Sequence, residues 1–244
     1  MDSNYREYDY EDSFARIDDI LATPSGNFEE VDNLPDRDKL TFTNGFYANC
    51  TAMFIDIRDS SSLPSIYQRP ALAKLYRAFI SEMVAIFNGT MKAREINIVG
   101  DCVWGVYKTP YKSDLDHIFS LSAQAHSLTK VLNYKFGKAG YTTPLRFGIG
   151  LSWGRALMIK AGYSGSGIND VVYMGDVVNA ASKLAALGST TGQMDPIVVD
   201  PTFYQNLNED NRGFFKSGYN TRGTFYHADV VDTAMNEWYK SNCT

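Results

Sequence analysis

Residues 52–61 read Ala-Met-Phe-Ile-Asp-Ile-Arg-Asp-Ser-Ser. A short apolar run that breaks into turn-forming polar residues predicts a buried strand. Asp56 falls near the end of that strand. A carboxylate there is costly to bury unless a positive partner holds it, and a metal ion is one such partner. A strand-end Asp that caps the following turn meets the same pattern, so Asp56 alone does not choose between the two. A second stretch supplies another carboxylate. Residues 95–107, Glu-Ile-Asn-Ile-Val-Gly-Asp-Cys-Val-Trp-Gly-Val-Tyr, predict two strands joined across Gly100 and Asp101, because glycine admits positive φ and Asp tolerates a turn. Asp101 then projects from a hairpin tip. Magnesium and manganese are hard cations that often take one or two carboxylates and complete their shell with substrate phosphates, so two carboxylates on rigid sheet ends suit them.

The 244 residues, 44% of them hydrophobic, suffice to bury a substantial core. A net charge of -5, without a basic run, argues against a broad nucleic-acid surface. No stretch approaches the length of a membrane-spanning helix, and the acidic, polar start is unlike a secretory signal. These features predict a cytoplasmic protein with no membrane partner. Cys50, Cys102 and Cys243 are odd in number and lack metal-type spacing, so unpaired thiols are expected.

Outward from the first motif, residues 1–41 form an N-terminal arm, rich in Asp, Glu, Tyr and Asn, and 42–244 form one catalytic-sized domain. In the arm, only Phe14, Ile17, Ile20 and Leu21 keep helical spacing, which predicts one short amphipathic helix followed by irregular chain packed on the domain or on a partner. The first core strand spans 46–57. Pro70 then opens a helix whose apolar face is Leu72, Leu75, Tyr76, Phe79, Met83 and Phe87, ending at Asn88-Gly89. After the hairpin, a second helix carries Leu115, Ile118, Phe119, Ser122, His126, Leu128 and Leu132. Residues 145–153 and 155–161 read as a strand pair joined at Gly154, and 171–174 as another strand. A third helix starts at Asp176, with Asn179 and Lys183 four apart on one face. By themselves those two are polar residues on an exposed stripe. A strand at 196–199, a helical turn at 201–205, a closing hairpin from 213–219 and 224–231, and a terminal helix at 234–239 complete the chain. The order strand-helix-strand-strand-helix-strand predicts a ferredoxin-like α+β fold: a mostly antiparallel sheet with helices packed on one face. Fold alone assigns no activity.

Three separated motifs, Met-Phe-Ile-Asp-Ile around Asp56, Ile-Val-Gly-Asp-Cys-Val at 98–103, and Met-Gly-Asp-Val-Val-Asn-Ala-Ala-Ser-Lys-Leu at 174–184, resemble in order and spacing the catalytic domain of class III nucleotidyl cyclases. The resemblance covers roughly residues 45–231, and residues 146–154 look like the family's strand leading to a glycine turn. It implies that Asp56 and Asp101 hold two divalent cations, manganese or magnesium, with the Ile57 carbonyl as a further ligand. The reaction implied is attack of the ribose 3′ hydroxyl on the α-phosphate with loss of pyrophosphate. The turn after Asp56, with Arg58, Ser60 and Ser61, resembles a phosphate-cradling turn. Asn179 matches the ribose-positioning asparagine. Lys183 stands where the family has the arginine that stabilises the transition state; lysine keeps the charge and loses the planar fork. For the triphosphate-binding base of the closing hairpin, Arg222 is first choice and Lys216 second.

At the two base-selecting positions the chain has Asn97 and Val172, where purine cyclases carry Lys or Glu and Asp, Thr or Cys. An Asn amide both donates and accepts, and so reads uracil, or cytosine after rotation. With Asn44-Gly45-Phe46-Tyr47 leading into Asp56–Ser61, the chain looks like the pyrimidine cyclases of bacterial anti-phage systems. That resemblance implies a lyase making cyclic UMP from UTP, or cyclic CMP from CTP, and a separate effector that the product activates. It also implies a head-to-tail homodimer in which each site takes Asp56 and Asp101 from one chain and Asn97, Val172, Asn179 and Lys183 from the other. An adenylate or guanylate cyclase with unusual base contacts, and a degenerate domain that only binds nucleotide, are the alternatives.

Overall fold

The computed structural model describes residues 2–190 and 194–243. Its centre is β2 (Gly45–Ile57), thirteen residues in which Ala52 to Ile55 are all buried. Successive side chains of a strand point to opposite faces. Met53, Ile55 and Ile57 enter one apolar cluster, and Ala48, Cys50, Ala52 and Phe54 enter another. Both faces of β2 are therefore covered, which explains its continuous apolar run.

Ahead of it come α1 (Tyr10–Leu21) and β1 (Phe28–Glu30), which pairs in parallel with β2. After it follow α2 (Leu63–Ile66), α3 (Arg69–Phe87), β3 (Ala93–Val99), β4 (Cys102–Lys108), α4 (Lys112–Lys138), β5 (Phe147–Gly162), β6 (Asn169–Met174) and α5 (Asp176–Ala185). The remainder is β7 (Ile197–Val199), α6 (Pro201–Asn206), α7 (Glu209–Arg212), β8 (Lys216–Asn220), β9 (Gly223–Ala228) and α8 (Thr233–Asn242). The sheet order is β3-β4-β2-β5-β7-β9-β8, with β1 beside β2 and β6 beside β5. Its β3-β4-β2-β5 portion is antiparallel throughout and is the expected ferredoxin-like arrangement. Leu75, Phe79, Met83 and Phe87 of α3 and Leu115, Ile118 and Leu132 of α4 fill the first cluster, as their spacing predicts.

Three expectations are corrected. The strand pair joined at Gly154 is one strand, β5, sixteen residues long. It pairs with all of β2, and Gly154 lies opposite Cys50 without a turn. That long antiparallel ladder holds polar Ser152, Gly154 and Arg155 in strand conformation despite a local composition that reads as a break. Helices also lie on both faces, not one. Val177, Ala181 and Ala185 of α5 join the cluster opposite α3 and α4. Its seat is Gly148 and Gly150 of β5, where an added Cβ would come within 2.0 Å of the Ala185 carbonyl oxygen and 2.1 Å of that of Ala181. The arm's second half is ordered rather than irregular: β1 joins the sheet, and Leu34 and Leu40 are buried in the α5-side cluster.

Candidate active site

Asp56 sits opposite Cys102 of β4 and Gly148 of β5, at the end of the two longest sheet ladders. Gly100, at φ +62°, turns the β3–β4 hairpin, with Val99 paired to Cys102 across the two-residue loop. Asp101 is thereby carried to the Asp56 carboxyl. The pKa of Asp56 is raised, first by burial and then by the Asp101 charge and a hydrogen bond between the two side chains, with Arg58 opposing. Two carboxyls that repel each other at a half-buried strand end suit a hard cation. Among the described residues no group of three or more His, Cys, Asp or Glu could hold a metal. Two carboxylates beside the Ile57 backbone are what this strand end could offer such an ion, a sparse protein shell of the kind that magnesium-type sites complete with water and substrate oxygens. Burial and the two Asp charges push the neighbouring Cys102 thiol up to about 12.

Arg58 lies in the turn after Asp56 and is engaged there by its own chain. Its Nη2 donates to Asp56 Oδ2 at 2.8 Å and its Nη1 to the Ala186 carbonyl oxygen at 3.0 Å. Its amide donates to the Arg146 carbonyl at 2.8 Å. The guanidinium thus neutralises Asp56 and ties β2 to the C-terminal end of α5. Ser60 and Ser61 do line a cleft of about 360 Å³ with Asp56, Ile57, Arg58, Asp59, Arg146 and Thr190. Arg146 escaped the sequence reading as a site residue. Its guanidinium donates to Asp59 Oδ2 at 2.6 Å and to the Ser189 carbonyl at 3.1 Å; its position immediately before a core strand was the only signal.

Asn179 and Lys183 are exposed on α5, one turn apart, and share a second cleft of about 320 Å³ with Asp176, Asp200 and Arg222. Arg222 lies at the tip of the β8–β9 hairpin, where its amide donates to Asn220 Oδ1 at 2.8 Å. Lys216 does not reach this cleft's lining and instead pairs with Asp195 at 3.1 Å. Asp200 is the cleft's structural floor. It accepts from the Phe203 amide at 2.6 Å, capping α6, from the Trp153 amide at 3.2 Å, and from the Ser152 hydroxyl. The two clefts have no lining residue in common.

Asn97 and Val172 stand on strands separated in the sheet by β4, β2 and β5. Asn97 pairs with Trp104 and shares the α5-side face with Glu95. Val172 is exposed, whereas its neighbour Tyr173 is 5% exposed within the α5-side cluster. The arm connects the two strands: Arg37 contacts Glu95 at 3.4 Å and pairs with Asp170.

Residues 43–225 match the family described as the adenylate and guanylate cyclase catalytic domain. The chain is 41% identical over 258 residues to a uridylate cyclase from Gulbenkiania mobilis, covering 99% of this chain and 100% of that protein. It is 36% identical over 234 residues to a uridylate cyclase from Treponema porcinum, covering 95% and 81%. The crystal structure of the adenylyl cyclase CyaB from P. aeruginosa superposes with a TM-score of 0.64 at 22% identity, over 78% of this chain and 97% of that one, a likeness of fold.

Proposed function

The chain belongs to the adenylate and guanylate cyclase catalytic domain family, the class III nucleotide cyclases, and from that premise we propose that it converts UTP to 3′,5′-cyclic UMP and pyrophosphate. Near-full-length similarity to two uridylate cyclases supports the choice of pyrimidine. Asn97 and Val172, in place of the purine-selecting types, agree with it.

Class III cyclases use divalent metal ions; here Asp56, Asp101 and the Ile57 carbonyl hold two of them, magnesium or manganese. Bound, such ions lower the pKa of the 3′ hydroxyl and screen the triphosphate. Asn179 orients the ribose so that O3′ faces the α-phosphorus. The bond from O3′ to that phosphorus forms, the bond to the bridging β-phosphate oxygen breaks, pyrophosphate departs, and the hydroxyl proton passes to solvent. Lys183 stabilises charge on the α-phosphate oxygens in the transition state. Arg222 holds the triphosphate, and Ser60 and Ser61 border it at the metal end. Arg58, which donates to Asp56 and to the Ala186 carbonyl, places its positive charge beside Ser60 and Ser61 at that same end.

The observation that carries the reading is the convergence of Asn179, Lys183 and Arg222 on one cleft while Asp101 meets Asp56, which lines another. Because each cleft holds only half of the machinery, a second copy completes it, in a head-to-tail homodimer with two equivalent sites. Exposed Ile98, Val99, Val172 and Met174 provide apolar surface for that copy. Among the described residues no helix is long and apolar enough to cross a membrane, consistent with a cytoplasmic enzyme. Cyclic UMP then serves as a second messenger in anti-phage defence, read by a separate effector; phage challenge should raise its level in cells carrying the protein.

The test is incubation with manganese and equal ATP, GTP, CTP and UTP, with cyclic products resolved by mass. Cyclic UMP should dominate and disappear in Asp56→Ala and Asp101→Ala. A purine product would refute the assignment of the base, and absence of any product would refute catalysis.

A further inference from the structure

Among the described residues, five buried side-chain nitrogen or oxygen atoms lack a hydrogen-bond partner. Four of them, Arg94 Nε and Nη2, Glu95 Oε2 and the Tyr173 hydroxyl, belong to three neighbouring residues. Native proteins leave few buried polar groups unpaired, so such a concentration calls for a cause. Tyr173 is 5% exposed in the α5-side cluster, on the face that Glu95 shares, and the charges of Glu95 and Arg94 act on its hydroxyl.

The local backbone builds this patch. A register shift between Ala93 and Glu95 sets two β3 residues against one step of β4, a bulge that re-aims side chains. Arg94 thereby reaches Asp36 at 3.1 Å through Nη1, with its other nitrogens left over. Glu95 contacts Arg37 through Oε1 at 3.4 Å, with Oε2 left over. Asn97 lies two residues along β3 on the same face, whereas Val172, next to Tyr173 along β6, points to the opposite one. Beside them, Phe54 and Trp104 stack with ring centroids 5.1 Å apart and planes 3° from parallel, a flat apolar wall.

We propose that Tyr173, Glu95 and Arg94 read the hydrogen-bonding edge of the pyrimidine, as specificity-determining residues beyond Asn97 and Val172. The inference rests on the pyrimidine cyclase reading and deepens it. Uracil presents acceptor, donor and acceptor at O4, N3–H and O2. It therefore needs two donors around one acceptor. The Tyr173 hydroxyl and the Arg94 N–H groups are the donors, and Glu95 Oε2 is the acceptor. Cytosine, with a donor at N4 and an acceptor at N3, sets a donor against Arg94 or Tyr173, or an acceptor against Glu95, in the order that suits uracil. Binding thus pairs groups that are unpaired in the free chain, and a site built to bond a polar edge rejects analogues that leave it unmatched.

Tyr173→Phe and Glu95→Gln are compared with wild type for cyclisation of equimolar UTP and CTP, for KM and kcat on UTP, and for thermal unfolding. Tyr173→Phe should melt at or above the wild-type temperature, because the lost hydroxyl leaves no partner unpaired. Its KM for UTP should rise about tenfold with kcat nearly unchanged, the loss of one hydrogen bond. Glu95→Gln offers a donor as well as an acceptor, so the ratio of cyclic UMP to cyclic CMP should fall about tenfold. If wild type makes cyclic UMP while Tyr173→Phe keeps both its KM and the product ratio, the inference is overturned and the cyclase reading stands. If wild type makes no cyclic UMP, both fall. A drop in melting temperature for Tyr173→Phe would also overturn it, since it would mean that the hydroxyl is satisfied within the free chain.

Discussion

At Asp56 the chain keeps an ionisable group in a place that favours its neutral form. Burial raises its pKa first and the Asp101 charge next, while Arg58 at 2.8 Å opposes both. A carboxyl whose folded pKa lies above its unfolded value binds more protons when folded, so it loses stability as pH rises through the window just above the ordinary carboxylate range. The free chain therefore carries a standing cost near neutral pH, which a cation bound at this carboxyl pair would relieve. Asp101→Asn removes the like charge. Without metal, its melting temperature at pH 7 should equal or exceed that of wild type, and its decline with pH above the carboxylate range should be shallower. Added manganese should raise the wild-type melting temperature and leave that of the variant nearly unchanged, with turnover down at least about a hundredfold. Thermal unfolding from pH 4 to 8, with and without manganese, together with turnover measurements, checks all of this. A steeper pH dependence in the variant would contradict the repulsion at Asp56.

At the scale of elements, the decisive contact is α5 on β5. Helix α5 carries Asn179 and Lys183, and its height above the sheet is set by Gly148 and Gly150. A Cβ at residue 150 would lie 2.1 Å from the Ala181 carbonyl oxygen and 2.2 Å from the Ala185 nitrogen. Both are backbone atoms, so the helix must move as a unit. Gly150→Ala should cost about 1–3 kcal/mol, as overpacking does. That corresponds to a fall in melting temperature of about 2–10 °C for a chain of this size. Turnover measured well below the transition should drop more than tenfold, because a shift near 1 Å in positioning groups is costly. Retained activity with a lowered melting temperature would mean that the cleft tolerates a displaced α5. Arg58 ties the same helix end to Asp56 through the Ala186 carbonyl, so the Asp56 carboxylate and the helix are held by one side chain.

At the scale of the molecule, the proposed head-to-tail dimer, with its machinery divided between two clefts, would make oligomerisation a condition of activity. Asp56→Ala and Lys183→Ala should each be inactive alone. Mixed and allowed to exchange subunits, they should recover about a quarter of wild-type turnover, since half of the dimers are mixed and each mixed dimer has one intact site of two. Turnover against mixing ratio is the measurement, and no recovery after demonstrated exchange would place the whole site within one chain. The arm belongs to the same scale. Leu34 and Leu40 are buried, while Arg37 and Asp36 pair with Asp170 and Arg94, so residues 31–40 act as a part of the domain. No residue of α1 is buried; Asn4 nevertheless donates to the Ser166 carbonyl at 2.6 Å, docking the arm's start on the β5–β6 turn.

The sequence by itself determined what depends on neighbours along the chain. The apolar run into Asp56, the Gly100-Asp101 turn, and the three- and four-residue spacing of Leu75, Phe79, Met83 and Phe87 are local signals that the fold retains. The shared helix face of Asn179 and Lys183, one turn apart, is legible for the same reason, whereas only a resemblance, not local physics, points to Arg222. Tertiary structure alone decided what distant segments do to one another. Gly154 reads as a break until thirteen residues of β2 pair along β5 and hold it extended. The seat of α5 depends on glycines whose purpose is invisible until a helix lies on them. Nothing near Arg58 in the sequence shows that its guanidinium links Asp56 to the Ala186 carbonyl. Arg94, Glu95 and Tyr173 read as ordinary strand residues until the sheet and the arm bring them together and leave their polar atoms unpaired. Periodicity records which face a residue occupies; only the folded sheet fixes what that face meets, because strand pairing joins residues whose sequence separation carries no local signal.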